Sequence, residues 1–139
     1  MNVFIDTNIL IDLLSQREPH NVEALEIFKL MYDGKCQISV SSITVLNTVY
    51  TLTNTYKLKK VLESVDQTTK ELNFIPASKS VFQKAFTSGF PDFEDAVQYF
   101  SAVEAGNIDY IVTRDKKGFA QSEIPVLTPY QFVKKHLKK

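Results

Sequence analysis

Cys36 is the only cysteine in the 139-residue chain, so no disulfide can close within it and nothing points to an oxidising compartment. It reads as a small buried hydrophobe. An excess of charge of one sign is missing too, since 16 Lys and Arg balance 16 Asp and Glu. That excludes capture of nucleic acid by a global positive field; such a partner would have to be held by a local site. No apolar run approaches the roughly 20 residues of a membrane span. The opening MNVFIDTN also lacks the basic region and apolar core of a signal peptide, so a cytoplasmic protein without a membrane partner is expected. None of the 4 glycines stands in a GxxxxGK phosphate loop. The 2 histidines, His20 and His136, lie near a helix start and in the charged tail, where they support no nucleophilic triad.

What is present is ordinary for a globular protein: 44% apolar and 23% charged residues in a length that suits one domain, residues 1–139. NVFI reads as a buried strand and NILIDLLSQ as the helix after it, capped by Thr7 or Asn8. PHNVEALEIFKLMYDG is a helix with Pro19 near its start and Gly34 as its stop. CQISV is a second strand. The β-branched stretch SSITVLNTVYTLTNTYKL is read as a helix because Ser42 can cap it and Ile43, Leu46 and Tyr50 recur at spacings of three and four. LKKVLESVDQTTKEL is a helix, NFIPA a third strand, KSVFQKAFTSGF a helix, and PDFEDAVQYFSAVEAG another that opens at Pro91 and Asp92 and closes at Gly106. IDYIVT and IPVL are further strands before a terminal helix, TPYQFVKKHLKK. Strands separated by helices predict an α/β fold, with a parallel sheet covered on both faces.

In such sheets, sites form beyond the carboxyl ends of the strands. Asp6 follows VFI and Asp115 follows YIVTR, which brings both to that edge; Asp92 and Asp95 stand three apart on one helix face. Convergent carboxylates raise one another's pKa unless a cation lies between them. Oxygen ligands without a His or Cys cluster favour Mg²⁺ or Mn²⁺ over Zn²⁺. Such an ion acidifies a bound water and steadies charge on a phosphoryl oxygen, which suits phosphodiester hydrolysis. Taken singly, Asp92 also fits an N-cap, Asp115 a turn residue and Asp95 a first-turn acid. Asp6 is harder to explain away, because acids are rarely buried without a partner. Asp12 and Glu94 read as solvent-facing charges. Asn8 breaks the two-aspartate pattern of a phosphoaspartyl hydrolase.

Three blocks, IDTNILIDLL, VSSITVLNTVYTLT and DFEDAVQYFSAVEAGNIDYIVTRDKKGF, resemble in order and separation those of a PIN domain, and VLTPYQFV resembles its last strand and helix. The resemblance spans essentially the whole chain. It implies a PIN-like fold with a central, mostly parallel sheet of four to five strands flanked by helices on both faces. It also implies a metal-dependent ribonuclease of the VapC toxin type, paired with an antitoxin and homodimeric. Carried over by position, Asp6, Asp95 and Asp115 match the catalytic, Mg²⁺- or Mn²⁺-binding acids. Asp92 is an accessory ligand, and Thr7, Asn8 and Thr113 are polar supports. The chain departs from the family at Asn47, where the second block usually carries Glu; an amide oxygen can coordinate but carries no charge. Arg114, Lys116 and Lys117 are candidates for guiding RNA, with a solvated surface as the equal alternative for the lysine pair and the KKHLKK tail. The rival to hydrolysis is a weakened or inactive PIN-like domain that binds RNA or a protein. With 10 Phe and 6 Tyr, some aromatic rings are expected at an interface.

Overall fold

The computed structural model describes residues 1–137, so Lys138 and Lys139 of the basic tail lie outside the described residues. Five strands, β1 (Asn2–Ile5), β2 (Gln37–Ser41), β3 (Asn73–Ile75), β4 (Tyr110–Val112) and β5 (Val126–Leu127), form one sheet in the order β3-β2-β1-β4-β5. Every pairing is parallel, with Phe4 facing Ser39 on one side and Ile111 on the other. The helices are α1 (Thr7–Ser15), α2 (His20–Tyr32), α3 (Ser42–Leu52), α4 (Leu58–Thr68), α5 (Lys79–Phe86), α6 (Phe93–Ala105) and α7 (Pro129–Leu137). A 3-10 turn spans Lys116–Phe119. The α/β architecture with an all-parallel centre agrees with the sequence reading.

β1 lies in the middle of the sheet, and all of its residues are buried, as a strand covered on both faces requires. Because side chains alternate along a strand, Val3 and Ile5 join Ile38, Val40 and Val112 in a core closed by Ile9 and Leu10 of α1, Ile27 and Phe28 of α2, and Phe132 of α7. Phe4 and Ile111 point the other way, against Tyr99 and Ala102 of α6 and against Phe119. Full burial of a side chain of this size contributes roughly 1.5–3 kcal/mol, so these two cores hold the sheet edge rigid beneath the site. Among the described residues, no helix is long and apolar enough to cross a membrane.

Three local expectations are corrected. The N-caps are the last strand-side residues rather than the first helical ones: Asp6 caps α1, and the Ser41 hydroxyl accepts from the Ile43 amide at 3.1 Å. Helix α3 buries Thr44, Thr48 and Leu52, whereas Leu46 and Tyr50 are exposed. Its inward threonines tolerate burial because their hydroxyls are satisfied, Thr48 donating to the Thr44 carbonyl at 2.7 Å. Asp12 is not solvent-facing. It is fully buried, and its carboxylate is clasped by Arg17 at 2.7 Å and by Arg114 at 2.8 Å.

Candidate active site

The strand order reverses beside β1, and the crevice beyond the carboxyl ends of β1 and β4 is where an open α/β sheet presents its side chains. The pairing of β1 with β4 runs one step past the strands, the Asp6 amide donating to the Val112 carbonyl at 3.0 Å. Asp6 therefore stands beside Thr113, whose hydroxyl donates to Asp6 Oδ2 at 2.7 Å. Asp6 Oδ1 accepts from the Thr7 amide at 2.7 Å and from Gln98 Nε2 at 2.9 Å. Three donors thus fix a carboxyl that is only 4% exposed. The Asp115 amide donates to the Thr113 hydroxyl at 3.0 Å, so one threonine orients the ends of both strands.

Helix α6 brings the other acids. Asp92 caps it by accepting from the Asp95 amide at 3.0 Å, and Asp115 accepts from the Gly118 amide at 3.3 Å. The capping role foreseen for Asp92 and the turn role foreseen for Asp115 are thus filled by residues that also face the crevice. A Cβ on Gly118 would collide with Asp95 Oδ2 and come within 3.1 Å of Asp115 Oδ2. The lack of a side chain at Gly118 lets two carboxylates approach one point of the backbone, and any Cβ there would make Asp95 shift. Asp6, Thr7, Asn8, Asn47, Asp92, Asp95 and Asp115 all line a cleft of about 530 Å³. A larger hollow of about 660 Å³ lies at the opposite edge of the sheet, lined by Asn2, Gln37 and Asp109, but it lacks such a convergence.

Proton affinity follows from this crowding. The Asp95 carboxyl is pushed up to about 7, first by burial and then by the charges of Asp6, Asp92, Asp115 and Glu94. Burial also raises Asp6, opposed by its hydrogen bonds to Thr113, Gln98 and Thr7.

Other placements differ from the sequence reading. Glu94, read as a surface charge, lines the cleft and accepts from Asn47 Nδ2 at 2.7 Å and from the Thr7 hydroxyl at 3.1 Å. Arg114 turns away to hold Asp12, while Lys116 reaches Gln131 at 3.3 Å; neither they nor Lys117 line the cleft. Its cation is Arg17, which sequence reasoning passed over. Gln98 was also missed, although a lone amide three residues after Asp95 on the same helical face was the available signal. Thr44 bonds to both Thr7 at 3.0 Å and Gln98 at 3.3 Å, which ties α3 to α1 and α6 through buried polar groups.

The profile of the PIN domain family matches residues 2–117. This chain belongs to the PIN domain family. No curated protein matches it by sequence. Among solved structures it is similar to VapBC2 of Rickettsia felis, bound to a DNA fragment from its promoter, with 18% identity, coverage of 92% of this chain and 98% of the other, and a TM-score of 0.72. A toxin-antitoxin complex from Klebsiella pneumoniae is 26% identical over 93% of this chain and 98% of its own, with a TM-score of 0.65. VapC20 of Mycobacterium tuberculosis, a sarcin-ricin loop cleaving toxin, is 13% identical over 86% and 94%, with a TM-score of 0.67.

The PIN resemblance implies a divalent cation, and the donors of this PIN domain suit one in kind. They are carboxylate and amide oxygens, the set preferred by Mg²⁺ or Mn²⁺, and their mutual repulsion adds to burial in raising Asp95. Among the described residues, no three His, Cys, Asp or Glu side chains are gathered closely enough to form a finished cage. Mg²⁺ commonly keeps several waters and takes only one or two carboxylates directly, so an open arrangement is compatible with it.

Proposed function

We propose that this PIN domain, residues 1–139, is a Mg²⁺- or Mn²⁺-dependent endoribonuclease acting in the cytoplasm as the toxin of a toxin-antitoxin pair. The observation that carries the reading is the convergence of Asp6, Asp95 and Asp115 at the carboxyl edge of β1 and β4, with Asp95 raised to about 7. Asp6, Asp95 and Asp115 would hold the ion, and Asp92 and Asn47 would complete its surroundings. When bound, the ion supplies charge stabilisation to the phosphoryl group and acidifies water. Thr7, Thr113 and Gln98 hold Asp6 in one orientation, so its oxygens need not reorganise when substrate arrives. Asn8, exposed at the rim, is left to face substrate. Arg17 offers the cleft a positive group for a phosphate, and Lys116 and Lys117, on the turn that follows Asp115, would add to it.

The antitoxin partner rests on likeness to the toxin-antitoxin complex from Klebsiella pneumoniae. Homodimer formation is supported by the apolar surface left open, including Phe86 and Phe93, whose exposed rings stack 5.6 Å apart. Wild type, Asp6→Asn and Asp95→Asn are to be compared on end-labelled single-stranded RNAs with Mg²⁺, with Mn²⁺ and with chelator. Cleavage to 5′-phosphate and 3′-hydroxyl ends that requires metal and vanishes in both variants is expected. RNA binding without any metal-dependent cutting would instead make the domain a binding module.

A further inference from the structure

The departure at position 47 has a partner in space. Asn47 on α3 and Glu94 on α6 are joined by the 2.7 Å bond from Nδ2 to Oε2, and the Thr7 hydroxyl also ends on Oε2. Both bonds fall on one oxygen, which leaves Oε1 for whatever occupies the cleft that Glu94 lines. A glutamate at position 47 would set a second carboxylate against Glu94, where like charges disfavour ionisation of both. An amide there can donate, so Asn47 and Glu94 are complementary as they stand.

We propose that Glu94 supplies from α6 the negative charge that the second PIN block lacks at Asn47, with Asn47 as the hydrogen-bond donor facing it across the cleft. This rests on the reading that the cleft holds a divalent cation. Glu94 acts as a positioning and charge-supplying residue, and Asn47 fixes its carboxylate.

The test is Mn²⁺ titration of the full chain by calorimetry, together with the Mn²⁺-induced rise in Tm. The proteins compared are wild type, Glu94→Gln, Glu94→Asp and the exchange variant Asn47→Glu/Glu94→Gln. Glu94→Gln keeps an acceptor for Asn47 and Thr7, so the metal-free fold should persist by circular dichroism. Its Mn²⁺ affinity should fall by roughly 10- to 100-fold. Glu94→Asp should retain part of that affinity, and the exchange variant should recover most of it. Wild-type affinity in Glu94→Gln, or no recovery in the exchange variant, would overturn the proposal. Absence of Mn²⁺ binding by wild type would instead sink the metal-dependent reading, and this inference with it.

Discussion

At neutral pH the Asp95 carboxyl of the metal-free protein stands between its two protonation states, with a consequence for folding. In the unfolded chain it would titrate near the ordinary 3.8, and in the folded chain near 7. Below pH 4 both forms carry the proton, and Asp95 has no effect on stability. Between about 4 and 7 the unfolded chain gives up its proton first, so stability is lost as pH rises, and above 7 the loss levels off. Asp95→Asn removes this penalty. Its metal-free Tm should equal that of wild type near pH 4 and exceed it by a few degrees above pH 7, an amount already reduced for partial solvent screening. Added Mn²⁺ should reverse the order, because only wild type then gains. Thermal scans across pH, with and without the ion, check both statements; a variant that is less stable at pH 8 without metal would contradict the first.

On the scale of elements, the segment after β4 is tied to α1 by a buried ion cluster rather than by apolar packing. Asp12 lies on α1 behind the cleft, its carboxylate bonded to Arg17 just beyond that helix and to Arg114 just after β4. Arg114 adjoins Asp115, so this cluster fixes the direction in which the second strand end delivers its acid. Asp12→Ala would leave Arg17 and Arg114, both partly exposed, without the buried carboxylate that joins them. It should cost about 1–3 kcal/mol in urea unfolding, because two hydrogen-bonded ion pairs and the packing of the side chain are lost while the arginines can still reach water; Arg114→Ala, with Arg17 still in place on Asp12, should cost less. If both substitutions are nearly neutral, the cluster is not what holds the segment. Helix α3 is the element whose orientation the apolar pattern described poorly. Ile43, Leu46 and Tyr50 mark a face by spacing, but the buried face carries Thr44 and Thr48, because its neighbours there are the polar groups Thr7 and Gln98.

For the molecule as a whole, zero net charge sets the expected behaviour toward RNA. Arg17 is the cation that lines the cleft, and Lys116 and Lys117 follow Asp115 directly in the chain. At about 0.7 per neutralised phosphate on a single strand, the affinity of the Asp6→Asn variant for RNA should fall with salt along a log-log slope of roughly −2. Fluorescence anisotropy over a KCl series measures it. A slope steeper than about −4 would mean that a broad basic surface, and not this cleft, carries the contact.

The sequence alone determined the alternation of strands and helices, the parallel sheet, and the arrival of Asp6 and Asp115 at one edge of it. Those follow from periodicity and from the rule that a parallel strand runs straight into the helix or loop behind it, so each is written in neighbouring residues. Tertiary structure alone decided that Glu94 turns into the cleft toward Asn47, that Asp12 is buried, and that Arg114 is drawn away to it. These depend on partners 47 and 102 residues apart. The local pattern around a charged residue says nothing about which opposite group the fold will bring beside it, and for a carboxylate that neighbour decides between solvent, core and site.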